Sequence, residues 1–327
     1  MIALATLAAA GATFAQSSVT IFGTFDPSIA NAQTTYGSGK SVTQNLVRNN
    51  SQGTSQVTFT GVEDLGGGLK ASFLIENDFD AGKDSSWNAA GGEMYTGLEG
   101  SFGSIKLGGA NTPSLTAQAS RQPFGTKIGS GFGGVLGTKH VRNSNSVVYA
   151  TPVFSGFSAA IGYAFKTNAD TNPAPTIAAV ADHTDIGLNY ANGPVAAGVS
   201  FYSVAKTGAD LNSNTQTNAY ASYDLGLAKL TLGYVDEKLA TGVKQDGFNV
   251  AAVVPLSANL SLLGNYAKLD VKESTKDKSI FAIGAKYLLS KRTSVYARYV
   301  DEKNDNVTAA DSVKGVKTTL VGVQHNF

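Results

Sequence analysis

The chain has no cysteine, one tryptophan and three histidines in 327 residues, and only 15% of it is charged. Without cysteine there is no thiol nucleophile, no disulfide framework and no Cys-ligated zinc or iron–sulfur site. His140, His183 and His325 lie far apart and form no HxxxH pair, so a histidine metal site is not expected either. Excess charge of one sign is also missing. Twenty-five Lys and Arg face 24 Asp and Glu, a net charge of +1, which excludes a generally basic nucleic-acid binder. Disorder needs high charge and few aromatics, and 13 Tyr with 16 Phe are present. Long apolar runs are lacking beyond the N-terminus, where a spanning helix would need about 18 such residues.

The one apolar run is Ile2–Ala12, followed by Thr13-Phe14-Ala15. This is the core and small-x-small site of a signal peptide over residues 1–15, cut after Ala15, although a basic segment ahead of the core is absent. Residues 16–327 are then expected to form one exported domain with no helical anchor, since no linker or composition break divides them.

What the chain does have is period two. Phe157, Ala159, Ile161, Tyr163 and Phe165 alternate with small residues, and Leu230, Leu232 and Tyr234 alternate with Thr231 and Gly233. Phe281, Ile283, Ala285 and Tyr287 repeat the pattern, as do Leu69, Ala71, Phe73 and Ile75. One apolar face at period two denotes half-buried strands, and no capped stretch has a clear helical period. Sixteen strands are expected: 18–30, 52–63, 69–78, 92–100, 103–109, 145–151, 157–166, 183–191, 195–205, 215–225, 228–238, 246–255, 259–271, 278–289, 293–302 and 316–327. Short connections alternate with long ones, the long ones being 31–51, 79–91, 110–144, 167–182, 206–214, 239–245, 272–277 and 303–315. An even number of strands of about ten residues, with short turns at one end, is the pattern of an outer-membrane barrel. Closure satisfies every backbone group without water, which an open sheet cannot do in lipid. A soluble sandwich or propeller also alternates. Its second face, however, would not need the Gly, Ser, Thr, Lys and Glu found here, which suit a water-filled lumen. At the end of the chain Val321, Val323, His325 and Phe327 share one face, so Phe327 is expected on the lipid side as a signal to the assembly machinery.

Several segments resemble the trimeric sixteen-stranded porins of Gram-negative outer membranes, of the β-proteobacterial type. They are Ser17–Gly23 (SSVTIFG), Gly61–Ala71 (GVEDLGGGLKA), Gly97–Gly103 (GLEGSFG), Tyr149–Pro152 (YATP), Leu289–Thr293 (LSKRT) and Val321–Phe327 (VGVQHNF). The EDLGGGL and LSKRT turns together carry most of the specificity. The resemblance implies a homotrimer set in outer-membrane lipid and lipopolysaccharide, with periplasmic termini. It implies passive diffusion of ions and small hydrophilic solutes, with no cofactor, and a third long loop folded into the lumen. Arginines that family members often place on the lumen wall are replaced here, by Ser55-Gln56 and by Leu107-Gly108-Gly109, and Glu93 stands near a third such place.

Between Glu99 and Asp170 there is no acidic residue, while Lys106, Arg121, Lys127, Lys139, Arg142 and Lys166 fall in that interval. With the third loop at the constriction, Arg121, Lys127, Lys139 and Arg142 would ring the pore with positive charge. Such rings favour anions. A run of basic residues is as often a solvated face. Strand phase turns Lys70, Lys106, Lys286 and Arg298 toward the lumen, with Glu93 and Glu99 on the same side. For Arg298 the phase is ambiguous, because Val295, Ala297 and Tyr299 compete with Tyr296 as the outer set. Weak preference for small anions follows. A lumen of this kind is expected to hold no apolar core.

Other motifs carry little. Gly129–Gly134 fits GxGxxG but precedes no helix, so it reads as a flexible loop tip. Asp78, Asp80 and Asp84 lack the glycine and the final acid of an EF-hand, and no GxSxG exists. The competing functions are a barrel enzyme of lipase or protease type, using His140 or His183, and a structural or adhesive barrel with a plugged lumen.

Overall fold

The computed structural model describes residues 18–83, 91–166, 181–206, 213–272, 277–307 and 309–327. The expected signal peptide and its cleavage site lie outside the described residues. The first strand, β1, runs Ser18–Phe25 and continues as Pro27–Tyr36. The second, β2, runs Ser41–Asn49 and resumes as Gln56–Gly66. Then follow β3 (Leu69–Asp78), β4 (Met94–Gly100), β5 (Gly103–Gly109), β6 (Ser146–Ala150), β7 (Phe157–Ala164) and β8 (His183–Asn192). The remaining strands are β9 (Val195–Val204), β10 (Asn214–Asp224), β11 (Lys229–Lys238), β12 (Lys244–Pro255), β13 (Leu260–Val271), β14 (Lys278–Leu288), β15 (Thr293–Asn304) and β16 (Val313–Asn326).

Each strand pairs antiparallel with its neighbours in sequence, and β16 closes the sheet on β1. At the seam Thr24 faces Asn326 and Ser28 faces Gly322. The result is a sixteen-stranded closed barrel whose walls have no unpaired edge. Its polarity is that of a membrane protein. Ile29, Leu107, Ile186, Leu232, Val250 and Ile283 are exposed on the outer face. Thr58, Asp185, Ser200, Gln216, Asn218 and Asn249 are buried on the inner one. Aromatic side chains lie exposed near the strand ends, Tyr234 beside Phe248 and Tyr266 beside Phe281 at one end, Tyr223, Tyr287 and Phe327 at the other. These are the two interfacial girdles. Phe327 lies at the seam as expected: its backbone exchanges both hydrogen bonds with Gly23, 3.1 Å each, and its ring covers the place where a Gly23 side chain would be.

The first long loop is a correction. Residues 31–36 and 41–49 are strand, joined by a turn at 37–40. The segment alternates Ala30 and Ala32 inside with Asn31 and Gln33 outside, so it has period two without an apolar face and gave no strand signal. The helix α1, Pro113–Ser120, is a second correction. Thr112 caps it, accepting from the Leu115 N–H, and Pro113 occupies its first turn. Eight residues are too few to show a helical period; the Thr112-Pro113 pair is the local signal that could have marked its start.

Candidate functional site

The third loop, entered at Ala110, lies inside the barrel and travels along the wall. Helix α1 sits against β8, β9 and β10. Gly162 and Gly187 leave room for Pro113, which lies 3.0 Å from where a Gly187 Cβ would be. Asp185 on β8 accepts from the Ser114 N–H at 3.0 Å and from its hydroxyl at 2.8 Å. Gln118 donates to Gln216 on β10 at 3.0 Å. Beyond the helix, Phe124, Val135 and Leu136 pack on Val235, Ala267, Leu269, Ile280, Ala282 and Val300 of the wall. The lumen therefore does hold an apolar core, confined to the seam between loop and wall. Gly129 and Gly131, with φ of +97° and +74°, make the reversal, and both are buried against the wall. Asn265 donates to the Gly129 carbonyl at 3.0 Å. The Gly129–Gly134 segment is thus seated at its start rather than being a free tip.

Of the four basic residues expected to ring the pore, Arg121 is withdrawn from water and Lys139 stands apart, while Arg142 and Lys127 share the field of Asp78 and Glu76. Arg121 is fully buried. Its guanidinium donates to the Tyr234 carbonyl at 2.9 Å and to the Leu136 carbonyl at 3.0 Å, and desolvation holds its pKa down to about 10, with Glu237 opposing. It is a clamp between loop and wall. Arg142 stands at the loop's exit, 3.9 Å from Glu76 and 3.8 Å from Asp78, which offset its charge. Lys139 is exposed beside Gly133, away from these contacts. Lys127 alone reaches the far side of the lumen, where its ammonium donates to the Thr54 hydroxyl at 2.5 Å. Burial lowers its pKa, with Asp78, Asp26 and Glu76 acting against that.

Two cavities meet at this point. One, about 420 Å³, is lined by Gln52, Phe124, Lys127, Lys286, Arg298 and Gln324. The other, about 450 Å³, is lined by Arg48, Asn50, Lys127, Phe132, Glu302 and Thr318. Lys286 and Gln324 lie toward the short turns and Glu302 and Thr318 toward the opposite end of the same strands. Lys127 and Thr126 line both cavities.

The expected wall residues divide in the same way. Lys286 and Arg298 do face inward, and Tyr296 shares that face, which resolves the phase of β15. Arg298 is nonetheless buried. It donates to the Ile128 carbonyl at 2.8 Å and to the Ser51 carbonyl, and lies 4.7 Å over the Phe124 ring. Lys106 is 3.5 Å from Glu93, and Glu93 also accepts from the Asn111 N–H and side-chain amide at 3.1 and 3.0 Å. Lys70 and Glu99 face each other across β3 and β4 near the short turns, away from the loop. Arg48, Asp26, Asp185 and Glu237 were not anticipated. Each is a lone charge in a segment whose inward face carried no other sign of function.

His140 and His183, far apart in sequence, converge at the loop's exit. The His140 ring stacks on Tyr202 at 3.6 Å, and the Tyr202 hydroxyl lies 2.7 Å from His183 Nδ1. Burial holds the His140 pKa down to about 4, and the nearby His183 adds to this. Both rings are engaged in packing the loop. Among the described residues no cluster of three or more metal-binding side chains exists.

Comparison with known proteins matches this architecture along its length. The Gram-negative porin family model matches residues 2–307. Outer membrane porin protein 32 of Delftia acidovorans is 29% identical over all of this chain and 99% of its own. An outer membrane porin of Bordetella pertussis is also 29% identical, covering 97% of this chain and 96% of its own. Among solved structures, the anion-selective porin from Comamonas acidovorans superposes with a TM-score of 0.80 at 27% identity, over 95% of this chain and 100% of its own. A trimer form of OmpT from Vibrio cholerae shares the fold at a TM-score of 0.64 and 15% identity, over 95% of this chain and 99% of its own. With a closed barrel, a lumen narrowed by an in-folded loop and these relatives, the chain belongs to the Gram-negative porins, channel proteins of the outer membrane and not enzymes.

Proposed function

We propose that the channel passes small hydrophilic solutes with a modest preference for anions, and that Lys127 is the charge that sets the preference. The observation that carries this is the unequal engagement of the lumen's charges. Its carboxylates hold the loop in place. Asp185 is bound by Ser114, Glu93 by Asn111 and Lys106, Glu237 by the Thr138 N–H and Gln216, and Glu76 with Asp78 by Arg142. Lys127, Arg48 and Lys286 line the two cavities instead, opposed there by Glu302 and, at Lys127, by the nearby carboxylates of Asp78, Asp26 and Glu76. A low-dielectric wall focuses the field of such charges on the water between them. The anion-selective relative from Comamonas acidovorans is consistent with this reading. Arg121, Arg142, Lys106 and Arg298 shape the constriction, Lys139 adds charge beside it, and Lys70 with Glu99 belongs to the mouth near the short turns.

The functional unit in this reading is a homotrimer, matured after Ala15 and embedded in lipid and lipopolysaccharide. The exposed Phe327 at the barrel seam is the mark read by the assembly machinery. The test is the reversal potential of purified protein in a planar bilayer under a KCl gradient. Wild type should prefer chloride at 0.1 M salt, and Lys127→Glu should move the potential toward cations. Preference should fade at 1 M, as the Debye length drops from about 10 Å to about 3 Å. A wild-type channel that prefers potassium at low salt would overturn the reading.

A further inference from the structure

The wall opposite the third loop is not plain strand. Between the register pairs Thr24↔Gln56 and Pro27↔Asn49, β1 contributes two residues, Phe25 and Asp26, and β2 contributes the six from Asn50 to Ser55. The surplus chain turns into the lumen. Such an excursion would expose backbone groups unless something bound them, and Asp26 does so. Its carboxylate, fully buried, accepts from the Gln52 N–H at 2.5 Å and the Gly53 N–H at 2.8 Å through one oxygen. Through the other it accepts from the Tyr296 hydroxyl at 2.5 Å. The Asp26 N–H donates to the Ser55 hydroxyl at 3.0 Å, and its carbonyl accepts from the Asn50 N–H at 3.1 Å. Ser28 and Ser51 hydroxyls, 2.7 Å apart, fix the inner side. Gln52 reaches Ser294 and Gln324, each at 2.9 Å.

Two cationic links join this segment to the loop, one direct through Lys127 and one through Arg298 of the wall. Thr54 accepts from Lys127, and the Ser51 carbonyl accepts from Arg298, whose same guanidinium nitrogen also holds the Ile128 carbonyl of the loop. We infer that residues 50–55 form a second jaw of the constriction, closed against the third loop. Thr54 in it determines specificity by holding the Lys127 ammonium, and Asp26 is the positioning residue that keeps the jaw turned inward. The inference rests on the anion reading of Lys127 above and adds the surface that fixes it. Asp26 itself is sealed from the water path, so it acts on ions only through where it places Thr54 and Ser51.

The test compares Thr54→Asp, Asp26→Asn and Lys127→Glu in planar bilayers at 0.1 M KCl, with barrel assembly followed by heat-modifiable gel mobility. An aspartate at 54 puts a carboxylate against Lys127. It should cut the anion-to-cation permeability ratio by about twofold or more, the size of one unit charge acting through water at short range. Asp26→Asn keeps the shape but removes the charge that strengthens the Gln52 and Gly53 hydrogen bonds, and, with its oxygen turned to them, presents an amide N–H to the Tyr296 hydroxyl in place of an acceptor. It should raise single-channel conductance and lower the ratio while the barrel assembles normally. If Lys127→Glu shifts the ratio and neither Thr54→Asp nor Asp26→Asn does, the jaw lies outside the current path and the inference falls while the anion reading stands. If Lys127→Glu also leaves the ratio unchanged, both fall. Should Asp26→Asn fail to assemble, Thr54→Asp decides alone, since its side chain makes no contact in the barrel wall's backbone ladder.

Discussion

Replacing Arg121 with methionine separates a charge that faces the pore from a charge that holds the loop. Its side chain is fully buried over Gly233 and gives two hydrogen bonds, to Tyr234 and Leu136 carbonyls at 2.9 and 3.0 Å. A hydrogen bond from a charged donor contributes about 1.5–3 kcal/mol. Burial of the guanidinium, visible in a pKa lowered to about 10, offsets part of that. The net loss should be about 2–4 kcal/mol, localised to the loop's seat on β11. The barrel's backbone ladder does not pass through Arg121, so yield and heat resistance should stay near wild type. The loop should open more often, by a factor of about 30 for 2 kcal/mol. In detergent, trypsin should then nick at Lys127 and Lys139 faster than in wild type, and single-channel records should become noisier, with little displacement of the mean reversal potential. The refuting result is a loop that stays protected while the reversal potential moves toward cations as far as it does for Lys127→Glu. Arg121 would then be a pore charge and its burial irrelevant in the membrane.

Deleting Phe327 removes the two backbone hydrogen bonds to Gly23 and the ring that covers it, so the yield of assembled trimer in the outer membrane should fall without a change in synthesis; unchanged yield would refute this. Mass spectrometry of protein from the outer membrane should find Gln16 as the first residue, and retention of Met1 would defeat the cleavage expectation. For His140 the folded pKa of about 4 lies below its ordinary 6.5, so the unfolded loop binds the proton more readily. Its contribution is therefore whole above pH 6.5 and is lost as pH falls from 6.5 toward 4, to a limit of about 3 kcal/mol. Acid-induced channel noise should appear in that window and be absent in His140→Phe, which keeps the stacking on Tyr202; equal noise in both proteins would remove His140 from the account.

The barrel was legible because lipid imposes a strict rule on the outer face. Leu230, Leu232 and Tyr234, or Phe281 and Ile283, must be apolar every second residue, so strand and phase come together. The rule lapses where the wall leaves the lipid. Residues 31–36 and 41–49 are strand whose outward side chains include Asn31, Gln33 and Asn45 instead of an apolar row, and nothing in those residues distinguishes that from a loop. The rule also says nothing about the loop's interior. That Phe124, Val135 and Leu136 would find Val235, Ile280 and Val300 depends on contacts across about a hundred residues or more, which no local period encodes. Arg298 illustrates the boundary: its inward phase was ambiguous in sequence, and the structure settles it through Tyr296 on the same face.

The third loop's composition pointed to four pore charges, and the structure leaves one reaching across the lumen. The reason is general to a narrow aqueous passage built from a folded segment. A loop crossing a wide barrel must be anchored at many points, and a polar wall offers mainly carboxylates, amides and main-chain carbonyls as anchors. The loop's own cations are drawn into those anchors: Arg121 to two carbonyls, Arg142 to Glu76 and Asp78. Conversely, wall carboxylates such as Asp185 and Glu237 bind the loop's N–H groups, which withdraws negative charge from the water. Selectivity then depends on the remainder after anchoring, not on the loop's formal charge. Here that remainder is Lys127 between two cavities, with Arg48 and Lys286 on the wall, Glu302 against them, and Asp78, Asp26 and Glu76 within the field of Lys127. A remainder so small makes the channel's ion preference sensitive to single substitutions at Lys127 and at the groups that position it, and insensitive to neutral replacement of an anchored charge, such as Arg121, that does not touch the Lys127 ammonium.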